Sequence, residues 1–138
     1  MTKGKDLELT ILHLFKRYQA MNIFCIRLNE RKISTGQIVE KSPFDFLVYH
    51  DGIVYGFDAK ECHDNYINIK GNLKLHQIEA MFQIEANQGH GFFLVYFFNF
   101  QKLIKFPAKE VFAAMQKEIK SLRPEDGTET KLDFLGVL

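Results

Sequence analysis

The spacing of apolar residues along the chain predicts three helices and four strands in the order α-β-β-β-α-β-α. Apolar side chains recur at helical spacing in three segments: about Lys5 to Met21, Leu73 to Asn87, and from Pro107 through Val111, Phe112, Met115, Ile119 and Leu122. Short apolar runs predict strands at Ile23 to Leu28, Phe44 to His50, Ile53 to Lys60, and Phe92 to Phe98. The polar segment Asn29 to Lys41 is predicted to be a loop or a small protrusion.

The second and third strands flank an Asp51-Gly52 pair, the strongest short-range signal for a β-hairpin. If these two residues form the turn, His50 pairs with Ile53, and counting outward places Asp45 directly opposite Asp58. Both faces of this hairpin are apolar, which is typical of strands inside a covered sheet. One predicted face carries Phe44, Phe46, Val48, Tyr55 and Phe57, and the other carries Leu47, Tyr49 and Val54.

The opposed carboxylates indicate a metal site. Side chains directly opposite in a hairpin lie about 4.5–5.5 Å apart at Cβ, and two carboxylates that close repel and are costly to desolvate. A divalent cation between Asp45 and Asp58 would remove both problems. Lys60 lies two residues beyond Asp58 and therefore on the same face. Two carboxylates and a lysine on one face are the groups needed for metal-assisted phosphodiester hydrolysis.

The composition indicates the number of domains and the compartment of the protein, but it does not identify a binding partner. The 138 residues, 46% hydrophobic and 25% charged, suit one globular domain over residues 1–138, and no repeat or linker divides them. The net charge of +1 does not exclude a nucleic-acid partner, because a basic patch can coexist with acidic surface. Two cysteines outside any CxxC motif, the lack of an apolar signal segment and the short apolar runs predict a cytoplasmic protein without a membrane span.

Several polar residues are weaker candidates. Arg31 and Lys32, in the loop after the first strand, are possible phosphate contacts. Cys62, His63 and His76 could form a zinc cluster, but their spacing matches no standard site, and solvated loop histidines are the better interpretation.

The motif residues resemble the PD-(D/E)xK nuclease superfamily, with Pro43-Phe44-Asp45 and Asp58-Ala59-Lys60 one residue off its strict pattern. The resemblance is closer to the RecU-type Holliday junction resolvases. It includes Gly4-x-x-x-Glu8, the string from Phe57 to Glu61, the string His76-Gln77-Ile78-Glu79-Ala80-Met81, and the strand from Gly91 to Phe97. It is strongest from about Asp45 to Phe97, roughly half the chain.

This resemblance implies a restriction-endonuclease-like fold of the α/β (α+β) class, with an α-β-β-β-α-β core and a mixed central sheet flanked by helices. It implies a homodimeric endonuclease that uses Mg²⁺ (or Mn²⁺) to cut four-way or other branched DNA. Asp45, Asp58 and the Ala59 carbonyl would hold the metal, and Glu8, otherwise an ordinary first-turn glutamate, would support it. Lys60 would hold the attacking water and stabilise developing charge, and Gln77 would orient groups or contact phosphate.

Two departures from the family pattern affect the expected substrate. Asp58 stands where those enzymes commonly have Glu, which is chemically conservative. The segment Asn29 to Lys41 is short for the stalk with which they probe junctions, and this puts junction selectivity in question.

Two other functions stay open at this point. One is a repair or restriction-type nuclease of the same superfamily without junction selectivity. The other is a non-catalytic nucleic-acid-binding protein, against which the intact Asp45, Asp58 and Lys60 argue. The sequence leaves open the cleavage-site preference, the number of metals, the dimer interface, and a bacterial or phage source.

Overall fold

The computed structural model describes residues 4–28, 31–32, 35–36 and 38–132. Its helices are α1 (Gly4–Ala20), α2 (Ile69–Asn72), α3 (Leu75–Ala86), α4 (Ala108–Gln116) and a 3-10 turn (Pro124–Asp126). Its strands are β1 (Phe24–Arg27), β2 (Arg31–Lys32), β3 (Ile38–Glu40), β4 (Phe46–His50), β5 (Ile53–Cys62), β6 (Ile67–Asn68), β7 (His90–Phe97), β8 (Lys102–Pro107), β9 (Ser121–Leu122) and β10 (Thr128–Thr130).

Six strands form a central mixed sheet in the order β1-β4-β5-β7-β8-β10, in which only the β5–β7 pair is parallel among the described strands. Two small ladders, β2-β3 and β6-β9, lie outside it. Helix α1 covers one face with the stripe Leu7, Ile11, Leu14, Phe15 and Tyr18. Helices α3 and α4 cover the other face with Ile78, Met81 and Val111. The predicted mixed sheet flanked by helices is therefore confirmed.

The hairpin register is also confirmed. Asp51 and Gly52 have φ angles of 52° and 78°, the positive values at both turn positions that a type I′ turn requires. His50 pairs with Ile53, and the ladder continues outward to Phe46 opposite Phe57. The next positions outward are Asp45 and Asp58.

One face assignment in the hairpin was wrong. Phe44 lies on the α3 side of the sheet, whereas Phe46 lies on the α1 side. The strict alternation of a strand ends at Phe46, and Asp45 lies in a bend before β4, so Phe44 is free to turn to the opposite core.

The C-terminal half differs most from the prediction. The last helix ends at Gln116, so Ile119 is exposed and Leu122 is buried in β9 instead of continuing a helical stripe. Strands β8 and β10 were not predicted, because lysines interrupt the apolar positions of β8 and the residues of β10, Thr128–Thr130, are all polar. The segment Asn29 to Lys41 contains the β2-β3 ladder. The side chains of Arg31 and Lys32, and the apolar tail after Leu132, lie outside the described residues.

In the part of the chain that the structure describes, no helix is both long and apolar enough to span a bilayer.

The close approach of α3 to β7 depends on Gly91. A Cβ atom there would lie 2.3 Å from the carbonyl oxygen of Met81 and 2.6 Å from its Cβ. We expect Gly91→Ala to lower the free energy of unfolding by about 1–3 kcal/mol or more, because backbone has to move. Gly71→Ala is the control, since its Cβ would meet only Asn68 Cβ at 3.6 Å. Urea unfolding followed by circular dichroism measures both. A Gly91→Ala protein as stable as wild type would contradict this packing.

Candidate active site

Asp58 is fully buried in the middle of the sheet. It lies on β5, where its neighbour across the parallel β5–β7 pair is Phe93, itself fully buried. Asp45 is partly buried in the bend before β4, and its carboxyl group contacts that of Asp58 through a hydrogen bond when one of them is protonated. The turn register thus brings the two predicted carboxylates together.

This proximity changes the ionisation of the pair. Burial raises the pKa of Asp45 to about 7, and the hydrogen bond and charge of Asp58 add to the rise. The charges of Lys60 and Arg27 oppose the shift but do not cancel it. Near neutral pH the pair therefore retains a proton in a large fraction of molecules, a property of the two carboxyls together.

Lys60 lies beside Asp58, as its spacing predicts. Its Nζ atom is 3.1 Å from Asp58 Oδ2. Both residues project toward the α3 side, the side on which a Cβ at Gly56 would meet Ile84 of α3. The Nζ–Oδ2 contact is an ion pair without hydrogen-bond alignment, and while both carboxyl groups are ionised neither oxygen of Asp58 accepts an aligned hydrogen bond from the described residues. A buried carboxylate with open lone pairs is a ligand suited to a hard cation.

Gln77 is the second buried polar residue above this face. It lies in the first turn of α3, 4% exposed, and its Oε1 atom has no hydrogen-bond partner among the described residues. A buried amide oxygen without a partner needs an explanation such as a ligand or an ordered water. Gln77 lies on the helix that covers the Asp58 face, and its orienting role stays a prediction of the resemblance.

Glu8 is connected to the carboxylate pair only indirectly. Its Oε1 atom is 3.2 Å from Arg27 Nη2, and the Arg27 guanidinium lies 5.8 Å from the centroid of the Phe46 ring. Arg27 is, after Lys60, the second cation whose charge opposes the rise in the pKa of Asp45. Within the described residues, no three His, Cys, Asp or Glu side chains form a cluster that could hold a metal. The structure therefore brings two carboxylates, Asp45 and Asp58, together. Glu8 is bound to Arg27, which lies between Glu8 and this pair.

Glu61 was not identified as a structural link by the sequence. Its Oε2 atom accepts a hydrogen bond from the backbone N–H of Leu7 at 3.1 Å, which fastens the first turn of α1 to β5 beside Glu8. Burial raises the pKa of Glu61, and the hydrogen bond from Leu7 partly offsets that rise. A carboxylate at a helix N-terminus is stabilised by the helix dipole. In the sequence, the one sign of this link is that Glu61 directly follows Lys60.

The zinc interpretation finds no support in the geometry. The Cys62 thiol contacts the backbone carbonyls of Asp64 and Tyr66, and the His63 ring stacks on Phe98. His76 is not a solvated loop residue: it is partly buried in the first turn of α3, with its Nε2 atom 3.1 Å from the carbonyl oxygen of Ser42.

Comparisons with known proteins show the family and the fold to which the chain is similar. The family described as Recombination protein U (RecU) matches residues 2–132. The chain is similar to the Holliday junction resolvase RecU of Ureaplasma parvum serovar 3, with 30% identity over 82 residues, 54% of this chain and 48% of that protein. The chain thus spans about half the length of this curated relative.

Two solved structures share the fold. One is Hjc of Archaeoglobus fulgidus, a Holliday junction resolvase, with a TM-score of 0.54 and 11% identity over 88% of this chain and 94% of that one. The other is a nuclease from a fusselovirus, with a TM-score of 0.51 and 10% identity over 91% of this chain and 84% of that one. The family match covers nearly the whole sequence, including every residue of the carboxylate–lysine site, so the chain belongs to the RecU family.

Proposed function

We propose that this chain is a metal-dependent DNA endonuclease that cuts four-way junctions. One observation carries the proposal: the fully buried Asp58 carboxylate has open lone pairs, with Asp45 against it and the Lys60 ammonium 3.1 Å away. The RecU relative and the Hjc neighbour are both named as Holliday junction resolvases, which supports the choice of substrate.

The residues fit a hard divalent cation, Mg²⁺ or Mn²⁺. The donors are oxygen atoms, which these cations prefer, and a charge between them would relieve the repulsion that raises the pKa of Asp45. Asp45, Asp58 and the Ala59 carbonyl would hold the cation, and Glu8 would support it on leaving Arg27. When bound, such a cation polarises a phosphate and makes a nearby water more acidic.

The protein groups have separate tasks in the proposed cleavage. The Lys60 ammonium, fixed by Asp58, holds the attacking water and stabilises negative charge as it develops on the phosphate oxygens. Gln77 orients water or phosphate from α3. Arg31 and Lys32 contact backbone phosphates without reading base sequence.

We also propose that the working unit is a homodimer located in the cytoplasm. Resolving a four-way junction needs two matched cuts, and the described residues of this chain form one carboxylate–lysine site. Cys25 and Cys62 are both free thiols, which suits a reducing compartment. The alternatives remain a related nuclease without junction selectivity and a DNA-binding protein without cleavage.

Cleavage assays on matched substrates test the proposal. With Mg²⁺ or Mn²⁺ we expect the protein to cut a four-way junction faster than a flap, a duplex or single-stranded DNA of the same sequence. With Ca²⁺ we expect binding without cutting, because the larger cation holds a looser geometry. Equal rates on all four DNAs would favour the nuclease without junction selectivity. Full activity in a chelator would contradict the metal, and no cutting under any condition would favour a binding protein.

Substitutions at the site separate chemistry from binding. Asp45→Asn, Asp58→Asn and Lys60→Ala should each lower the single-turnover rate by at least about 10²–10³, while the protein stays folded and binds junction DNA. Asp51→Asn is a matched control, since it changes a carboxylate of the same hairpin, 82% exposed, to a residue that also suits the turn. A wild-type rate for Asp58→Asn would refute the assignment.

A further inference from the structure

The segment that carries Asp45 has no regular secondary structure. Residues 41–45 lie between β3 and β4 and form neither helix nor strand. Three contacts with other described residues hold the segment. The Asp45 carbonyl oxygen accepts from the Leu28 N–H at 2.7 Å, the Phe44 ring packs in the α3-side core, and the Ser42 carbonyl oxygen meets His76 Nε2 at 3.1 Å.

Electrostatic repulsion between Asp45 and Asp58 acts on the segment that carries Asp45. Asp58 cannot withdraw from Asp45, because β5 is paired with β4 on one side and β7 on the other. Any backbone movement that separates the two carboxylates therefore has to occur in the segment that carries Asp45. The contacts that resist this movement determine how well the two carboxylates can bind one cation together.

The His76 contact is the one of the three made by a polar side chain. A carbonyl oxygen can only accept, so His76 Nε2 is the donor in this contact. Ser42 is 8% exposed, so loss of the donor would leave its carbonyl buried with poor access to water. His76 also lies in the same helical turn as Gln77, on the helix that packs against the Asp58 side of the sheet.

We propose that His76 is a positioning residue that holds the Ser42–Asp45 segment in place and so sets the divalent-cation affinity of the Asp45–Asp58 pair. This inference rests on the proposed function. His76 acts through Asp45 and contacts neither the cation nor the substrate. Partners that orient metal-binding carboxylates typically contribute 10–100-fold to metal affinity or activity.

The test compares His76→Ala, His76→Gln and His76→Phe, with His13→Ala, an exposed histidine of α1, as control. Calorimetric titration with Mn²⁺, without DNA, measures affinity independently of cutting, and a thermal melt reports folding. We expect about 10–100-fold weaker Mn²⁺ binding and slower single-turnover junction cleavage for Ala and Phe. Gln, whose Nε2 can donate in the same place, should recover most of both. His13→Ala should match wild type.

Three outcomes separate this inference from the proposed function. Wild-type Mn²⁺ affinity in His76→Ala would overturn the inference and leave the proposed function intact. Equal losses in the Ala and Gln variants, with both folded, would also overturn it, because the hydrogen bond would not be the cause. Failure of the wild-type protein to bind Mn²⁺ or to cut would instead refute the proposed function.

Discussion

The two-residue turn at Asp51 and Gly52 fixes the register of β4 against β5, and the site depends on that register. With positive φ at both positions, the turn pairs His50 with Ile53 and brings Asp45, six residues before the turn, level with Asp58, six residues after it. A shift of one residue would move Asp58 or Asp45 to the opposite face of the sheet. Lys60 follows from the same register, because it shares a face with Asp58.

The close approach of Asp45 and Asp58 is electrostatically unfavourable for the folded protein. A fully buried carboxylate beside a second one is unfavourable. Among the described residues, Lys60 forms an ion pair with Asp58, and the charges of Lys60 and Arg27 oppose the rise in the pKa of Asp45. The sheet tolerates it because β5 is paired on both sides and both faces are packed by helices. A locally unfavourable residue in an otherwise consistent fold is typical of a functional site.

The sequence predicted best where a local pattern decides the structure. The hairpin register, α1, α3 and the group Asp45, Asp58 and Lys60 follow from turn chemistry and side-chain periodicity. Prediction from the sequence failed where contacts between residues far apart in the chain determine the structure. Phe44 turns to the α3 core because of a bend, and Leu122 is buried by pairing with Ile67. The Glu8–Arg27 and Ser42–His76 contacts join residues 19 and 34 positions apart, which no short motif reveals.

Proton release on cation binding tests the central claim that Asp45 and Asp58 form a cation site. Because the pKa of Asp45 is about 7, Mg²⁺ binding at pH 7 should release about half a proton, more at lower pH and almost none above pH 8.5. Calorimetric titrations in two buffers of different ionisation enthalpy measure this number, and Asp45→Asn should abolish the release. Binding without proton release at pH 6, or equal release from Asp45→Asn, would contradict the account.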